Sequence, residues 1–381
     1  EGLGDTIRVS LTEDPECEIP VAKKLVQRYF DRSNHDPIEE ISINPINPFD
    51  YNLRQSRQVL NIGGENVPRI VSDLSLLDKV NDDTISELGY TYFKESDKWG
   101  IGDLACDYIY IGDKEIDFEI PGTLGVIQNF STWKRSRKNQ HYPLLDFNQY
   151  LNEKNIHPKL NFLYLSLPDL SNEIIGEIQN DFSIVLFVST QNSHGLAEQR
   201  SVFIKLINAQ NNVPVIIVRA YGDLSSSDLQ LYSSTDIGGL FIDGLGDGLC
   251  LAMDENKLSF PTISDFNRTS FGILQATRTR ITKTEYISCP SCGRTLFDLQ
   301  EVTARIRSKT QHLKGLKIGI MGCIVNGPGE MADSDYGYVG TGVGKISLYK
   351  KHTIIKKDVP MNQADEALID LIKENGDWIN P

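Results

Sequence analysis

The chain has 381 residues and a formal net charge of −14 at pH 7. At roughly 150 residues per domain, this length predicts two or three domains with a large core. The acidic balance argues against nucleic acid as a general partner, because phosphate binding needs a basic surface. Six cysteines, half of them scattered, do not form a secreted disulfide framework, and no run of eighteen apolar residues is present. We therefore expect a soluble protein, without a membrane segment, in a reducing compartment.

The first thirty residues predict a strand followed by a helix. Ile7 to Leu11 is a short β-branched run, and Asp14 and Pro15 suit the N-cap and the first helical position. The buried stripe of the helix would consist of Ile19, Ala22, Val26 and Tyr29. Arg8 and Ser10 lie near the end of the predicted strand. An ion pair with Asp5 is the ordinary explanation for Arg8.

The long middle part of the chain alternates short apolar runs with helical segments. Between residues 184 and 219 a strand, a helix at about 196–209 and another strand are spaced as a βαβ unit, which implies parallel pairing. This repetition predicts an incomplete or barrel-like α/β domain. The predicted strands are 69–72, 108–111, 161–167, 184–189, 213–219 and 239–242.

Two motifs in this middle part have competing explanations. The glycine-rich segment 241–248 would follow a strand and could hold a phosphate on its backbone N–H groups. It lacks both the GxGxxG pattern and the ending of a P-loop, so a tight structural turn is favoured. The basic run 134–138 is interpreted as a solvated face, with docking of an acidic partner as the alternative.

Three cysteines are concentrated towards the C-terminus. Cys289-Pro-Ser-Cys292 precedes a predicted helix at 293–313, a buried strand at 316–321 and then Gly322-Cys323-Ile-Val-Asn-Gly-Pro-Gly-Glu330. A strand that follows the helix would return Cys323 to the neighbourhood of the CxxC turn. Further on, strands are predicted at 336–339, 346–349 and 353–357, and a closing amphipathic helix at 362–374.

Four interpretations of these cysteines remain open. A structural zinc site usually has a second CxxC or a histidine pair. A thioredoxin-like pair would leave Cys323 unused, and three cysteines without a ligand would not explain the Pro- and Gly-rich turn. An iron-sulfur cluster, which needs several thiolates on loops of small residues, is favoured. Glu330 is then a candidate fourth ligand, although a solvated carboxylate is the common alternative.

These motifs resemble those of a known family. Cys289-Pro-Ser-Cys-Gly-Arg-Thr and Gly322-Cys-Ile-Val-Asn-Gly-Pro-Gly-Glu are similar to the C-terminal domain of the 4-hydroxy-3-methylbut-2-enyl diphosphate synthases, iron-sulfur enzymes of the methylerythritol phosphate route to isoprenoids. The likeness continues through Asp335-Tyr-Gly-Tyr-Val-Gly and Gly344 to Tyr349, and it reappears in Glu1-Gly-Leu-Gly-Asp-Thr-Ile-Arg-Val-Ser-Leu-Thr. The middle of the chain resembles only the three-domain, long-insert branch.

The resemblance implies an α/β fold in three parts. These parts are the last strand and helix of a TIM barrel at 1–30, an α/β barrel-like insert domain at 31–266 and a C-terminal α+β iron-sulfur domain at 267–381. A 4Fe-4S cluster would be bound by Cys289, Cys292 and Cys323, with Glu330 on the unique iron. By the same resemblance, Arg8 and Ser10 would contact the substrate diphosphate, and Asn326 and Glu330 would be the catalytic residues, with Asn326 bonded to a substrate oxygen.

The implied activity is the two-electron reductive opening of 2-C-methyl-D-erythritol 2,4-cyclodiphosphate to 4-hydroxy-3-methylbut-2-enyl diphosphate and water. Ferredoxin or flavodoxin would donate the electrons, since the sequence has no nicotinamide or flavin fingerprint. The expected location is the bacterial cytoplasm or the plastid stroma, and the full-length protein would be a monomer or a homodimer. The chain would lack most of the first barrel and be nearly inactive alone. The alternative is a non-catalytic iron-sulfur or zinc module that serves protein contacts.

Overall fold

A computed structural model describes residues 4–11, 13–30, 32, 34–47, 49–254, 262–290 and 292–380. The chain divides into two compact units, one formed by residues 34–280 and the other by residues 1–33 together with 281–381. Within the described residues, every helix is too short or too polar to cross a lipid bilayer.

The N-terminal segment contains one helix, α1 (Glu18–Phe30), preceded by a 3-10 turn at Pro15–Cys17. Asp14 is at the N-cap position and Pro15 begins the turn, as the sequence predicts. Residues 7–11 have no regular secondary structure, so the strand predicted there is not observed. The predicted apolar stripe is not buried either, because Ile19 is 56% and Val26 is 53% exposed. Within the described residues, no strand pairs with residues 7–11.

Residues 34–280 form a closed barrel of eight parallel strands. In chain order the strands of this unit are β1 (Arg69–Asp73), β2 (Tyr90–Phe93), β3 (Lys98–Ile101), β4 (Tyr108–Tyr110), β5 (Gly125–Asn129), β6 (His141–Leu145), β7 (Asn161–Leu165), β8 (Ile184–Val188), β9 (Val215–Tyr221) and β10 (Gly248–Met253). The barrel runs β1-β4-β5-β6-β7-β8-β9-β10 and closes by pairing β10 with β1, while β2 and β3 form a separate antiparallel hairpin. The predicted barrel-like α/β domain is therefore confirmed as a complete barrel.

The helices of this unit are α2 (Asp82–Ser86), α3 (Phe130–Ser136), α4 (Phe147–Asn152), α5 (Asn172–Asn180), α6 (Gly195–Asn208), α7 (Ser226–Ile242) and α8 (Ile263–Ala276). The βαβ unit β8–α6–β9 is confirmed, with parallel pairing of Phe187 and Ile216. Helix α8 packs on β1 and β10. The compact units divide between residues 280 and 281, so α8 belongs to the unit that contains the barrel.

The barrel interior is filled by side chains that point inwards from alternate strand positions. Its buried members are Val71, Tyr108, Ile127, Phe162, Val185, Phe187, Ile216, Val218 and Cys250. At the N-terminal ends of the strands a small bridge between Val59 and Ile62 inserts both side chains into this core. Arg57 fixes the bridge by donating to the carbonyl oxygens of Ile178 and Gln179, just before β8.

The strand predicted at 239–242 is wrong, because these residues end helix α7. The glycine-rich segment 241–248 therefore connects a helix to the start of β10, at the barrel end opposite the strand C-termini, and is a structural turn. There the Asp247 carboxylate accepts the backbone N–H of Val215 at 2.8 Å. The basic run 134–138 is exposed apart from Ser136, in agreement with a solvated face.

The C-terminal unit is a mixed five-stranded sheet with helices on one face. Its elements are β11 (Glu285–Ser288), α9 (Leu299–Thr310), β12 (Lys317–Met321), α10 (Gly327–Glu330), β13 (Tyr336–Gly342), β14 (Lys345–Lys350), β15 (Thr353–Pro360) and α11 (Met361–Glu374). Strands β11, β12 and β13 are parallel, whereas β14 and β15 continue the sheet in antiparallel pairing. The apolar stripes of α9 and α11 cover one face through residues that include Val302, Ile306, Leu368 and Ile372.

Helix α9 is shorter than the predicted segment 293–313. Asp298 caps it, since its side chain accepts the backbone N–H of Glu301 at 2.9 Å. An N-cap residue takes non-helical backbone angles, so the helix begins one residue later. Residues 293–298 are left as a loop that connects the CxxC turn to α9.

Candidate functional site

The parallel pairing of β11 and β12 brings the three clustered cysteines to one edge of the C-terminal sheet. Ser288 at the end of β11 pairs with Ile320 in β12. Cys289 follows β11 directly, and Cys323 lies two residues beyond β12. Cys292 is three residues further along the first loop. The structure thus places the CxxC turn beside the Cys323 loop, as the sequence predicts, because parallel strands end at the same edge.

Backbone N–H groups approach this site closely. The N–H of Gly322 donates to Cys289 Sγ at 3.2 Å. A Cβ atom on Gly322 would lie 2.6 Å from Thr295 Cγ2, so a larger residue at this position would displace the Thr295 side chain. Gly340 in β13 is equally restricted, since a Cβ there would lie 2.6 Å from the carbonyl oxygen of Gly322. N–H donors directed at cysteine sulfurs, on loops of small residues, are typical of iron-sulfur sites.

The thiols of the CxxC turn differ in their electrostatic environment. Burial raises the pKa of Cys289, and the charges of Glu330, Cys323 and Cys292 raise it further, against the opposing effect of the Gly322 N–H group. The pKa of the exposed Cys292 thiol is lowered, chiefly by a backbone hydrogen bond from Arg294 and also by one from the Thr295 side chain. Three thiolates and a carboxylate this close would repel one another, and a bound cation would relieve that repulsion.

The side chains are neighbours but are not drawn together at ligand distances. Within the described part of the chain, no three His, Cys, Asp or Glu side chains form a group that could hold a metal ion. The donor set nevertheless fits an iron-sulfur cluster better than a single ion, because the thiols lie on two loops with N–H donors near the sulfur atoms. A single zinc ion would require four ligands in a compact tetrahedron.

Asn326 is the N-cap and Glu330 the last residue of the one-turn helix α10. The carbonyl oxygen of Asn326 accepts the N–H groups of Gly329 and Glu330, both at 3.0 Å. Both side chains are exposed. The next residue, Met331, is 1% exposed and packs with Met321, Val339 and Tyr349 on the sheet face opposite α9. Met331 therefore anchors the turn that presents the Glu330 carboxylate.

Comparison with known proteins bears on the same residues. Residues 285–374 match the family described as GcpE protein C-terminal domain. The whole chain is similar to proteins named 4-hydroxy-3-methylbut-2-en-1-yl diphosphate synthase (flavodoxin). The one from Parabacteroides distasonis is 45% identical over 380 residues, which are 100% of this chain and 58% of that protein.

Two further relatives with the same name extend the comparison. The protein from Phocaeicola vulgatus is 41% identical over 99% of this chain and 58% of its own length. The protein from Leptospira interrogans is 38% identical over 100% of this chain and 60% of its own length. The resemblance found in the sequence is thus confirmed. The chain spans between half and two thirds of the length of these relatives.

Arg8 and Ser10 lie outside the GcpE C-terminal domain. Both are exposed in the irregular segment before α1. Among the described residues, no hydrogen bond or ion pair connects either of them to the cysteine loops. Their assignment to the substrate diphosphate remains a prediction from the resemblance.

Sequence reasoning missed two residues of the GcpE C-terminal domain that shape the site. Thr295 contacts both cysteine loops, and Met331 anchors the turn that carries Glu330. The close spacing of Gly319, Gly322, Gly337 and Gly340 was the available signal, because glycine in adjacent strands often marks a close approach of a neighbouring residue. That pattern does not reveal which residue approaches.

Proposed function

We propose that this chain is the cluster-bearing part of an oxidoreductase that opens 2-C-methyl-D-erythritol 2,4-cyclodiphosphate reductively. The products are (E)-4-hydroxy-3-methylbut-2-enyl diphosphate and water, in the biosynthesis of isoprenoid precursors. The observation that carries the proposal is the position of Cys289, Cys292 and Cys323 on two adjacent loops inside a GcpE C-terminal domain. The names of the relatives support the same reaction.

Cys289, Cys292 and Cys323 would hold a 4Fe-4S cluster, and Glu330 would be its fourth protein ligand. When bound, such a cluster supplies electrons one at a time. The Gly322 N–H group, bonded to Cys289 Sγ at 3.2 Å, stabilises negative charge on that sulfur. The Glu330 carboxylate is a harder and more weakly held ligand for iron than thiolate is. The three cysteines would therefore hold the cluster firmly, and Glu330 would be its more weakly bound protein ligand.

The remaining assigned residues would bind and orient the substrate. The guanidinium group of Arg8 would form two parallel hydrogen bonds to a phosphate, and the Ser10 hydroxyl would donate a third. The exposed Asn326 side chain would donate to the substrate oxygen next to Glu330. Flavodoxin or ferredoxin would deliver the electrons, and the name of the relatives favours flavodoxin. With only Arg8 and Ser10 assigned to the diphosphate, this chain by itself would turn over substrate slowly.

Anaerobic reconstitution with iron and sulfide tests the proposal. The chain should turn brown and bind about four irons and four sulfides. The loaded chain should then reduce the cyclodiphosphate with a chemical reductant, and it should accept electrons from flavodoxin. A colourless protein that retains zinc would refute the assignment of the cluster. If the cluster-loaded chain shows no turnover, even when it is joined to the remaining part of a relative's chain, the assigned reaction is refuted.

A further inference from the structure

Thr295 connects the two loops that carry the three cysteines. Its hydroxyl oxygen accepts the backbone N–H of Cys292 at 3.2 Å, and its own N–H donates to the Cys292 carbonyl oxygen at 2.9 Å. The next residue, Leu296, donates its N–H to the carbonyl oxygen of Gly322 at 3.0 Å. The backbone of Cys292 is thereby held by Thr295, and the following residue, Leu296, is bonded to the loop that carries Cys323.

Side-chain packing adds a second connection. A Cβ atom on Gly322 would lie 2.6 Å from Cγ2 and 3.0 Å from Oγ1 of Thr295, so the threonine side chain lies directly on the glycine. Gly322 in turn donates to Cys289 Sγ and immediately precedes Cys323. A movement of Thr295 would consequently displace groups next to all three cysteines.

The two branches of the threonine side chain have separate tasks. The hydroxyl group holds the Cys292 backbone, whereas the γ-methyl group lies against Gly322. Valine has nearly the same shape as threonine but cannot accept the Cys292 N–H. Serine keeps the hydroxyl group but leaves the space of the methyl group empty. The two substitutions therefore separate hydrogen bonding from packing.

We propose that Thr295 is a positioning residue for the cluster. It sets the separation of the CxxC turn and the Cys323 loop before iron binds, and its hydroxyl group holds the backbone of Cys292 in place. This role rests on the proposed function, since it requires that the cysteines bind a cluster. Groups that orient metal ligands from outside the coordination sphere typically change metal affinity by about 10- to 100-fold when removed.

The test uses the 381-residue chain reconstituted anaerobically, with Thr295→Val, Thr295→Ser and the unaltered protein side by side. Three readouts are compared: the rate of iron loss to a chelator, the paramagnetic resonance spectrum of the reduced cluster and its midpoint potential. Thr353→Val is the matched control, because Thr353 is exposed and starts β15 at the sheet end away from the cysteines. Circular dichroism and thermal unfolding of each apoprotein report whether the fold is kept.

We expect Thr295→Val to lose iron about tenfold faster than the unaltered chain, with a changed resonance spectrum and a lower midpoint potential. Thr295→Ser should keep the potential within the error of measurement and lose iron at an intermediate rate. Thr353→Val should match the unaltered chain. If Thr295→Val and Thr295→Ser both match it in all three readouts, the positioning role is refuted and the cluster assignment stands. If the unaltered chain takes up no iron, the proposed function fails as well.

Discussion

Gly340→Ala should destabilise the C-terminal unit at the point where β13 passes the cysteine loop. The added Cβ would lie 2.6 Å from the carbonyl oxygen of Gly322 and 3.2 Å from Phe297 Cε1. Non-bonded heavy atoms attract at about 3.5–4.0 Å, so the first contact is about 1 Å too short. The obstructing atom belongs to the backbone, and the same oxygen accepts the Leu296 N–H. Relief therefore requires movement of the loop itself.

Overpacking of this kind costs about 1–3 kcal/mol. In hydrogen exchange this corresponds to an acceleration of about 5- to 150-fold for the most protected amides of β12 and β13. Gly329→Ala is the matched control, because nothing lies within 4 Å of a Cβ at that position. Exchange rates in Gly340→Ala within twofold of those in Gly329→Ala would refute the reasoning. The displaced Gly322 should also reduce iron loading in Gly340→Ala.

Three further outcomes are expected. Cys289→Ser, Cys292→Ser and Cys323→Ser should each abolish cluster loading, measured by iron and sulfide assay. Cys17→Ser, Cys106→Ser and Cys250→Ser should load normally. An intact cluster in Cys323→Ser would exclude Cys323 as a ligand. Glu330→Ala should retain much of the cluster, with an altered resonance spectrum, and should lose turnover in a full-length protein. Normal turnover would mean that Glu330 is an ordinary solvated carboxylate and not a ligand. Burial lowers the pKa of His141 below its ordinary 6.5. As the pH falls through 6.5, His141 is therefore protonated in the unfolded chain before it is protonated in the folded one, and the folded state becomes less stable. Urea unfolding should show a lower stability at pH 5.5 than at pH 7.0, and His141→Asn should reduce this difference; an equal loss in the variant would contradict this origin.

Local sequence determined the elements with a strong period of their own. The stripe of Leu299, Val302 and Ile306 is buried in α9 as predicted, and the apolar run before Gly322 is the strand β12. The CxxC turn and the Cys323 loop were also predicted as one site. Helical periodicity and short apolar runs are properties of neighbouring residues, so they can be read without knowledge of the fold.

The tertiary structure decided what depends on distant neighbours. Residues 239–242 are apolar enough for a strand, but they end a buried helix, and a run of four cannot distinguish the two. Strand β10 closes the barrel because Cys250 pairs with Val71 and with Val218, which lie far away in the chain. Thr295 likewise acquires its role only because Gly322, the residue after β12, lies against its side chain. Strand register, barrel closure and the close contact of two loops are set by pairing between distant segments. The sequence of a single segment therefore does not determine them.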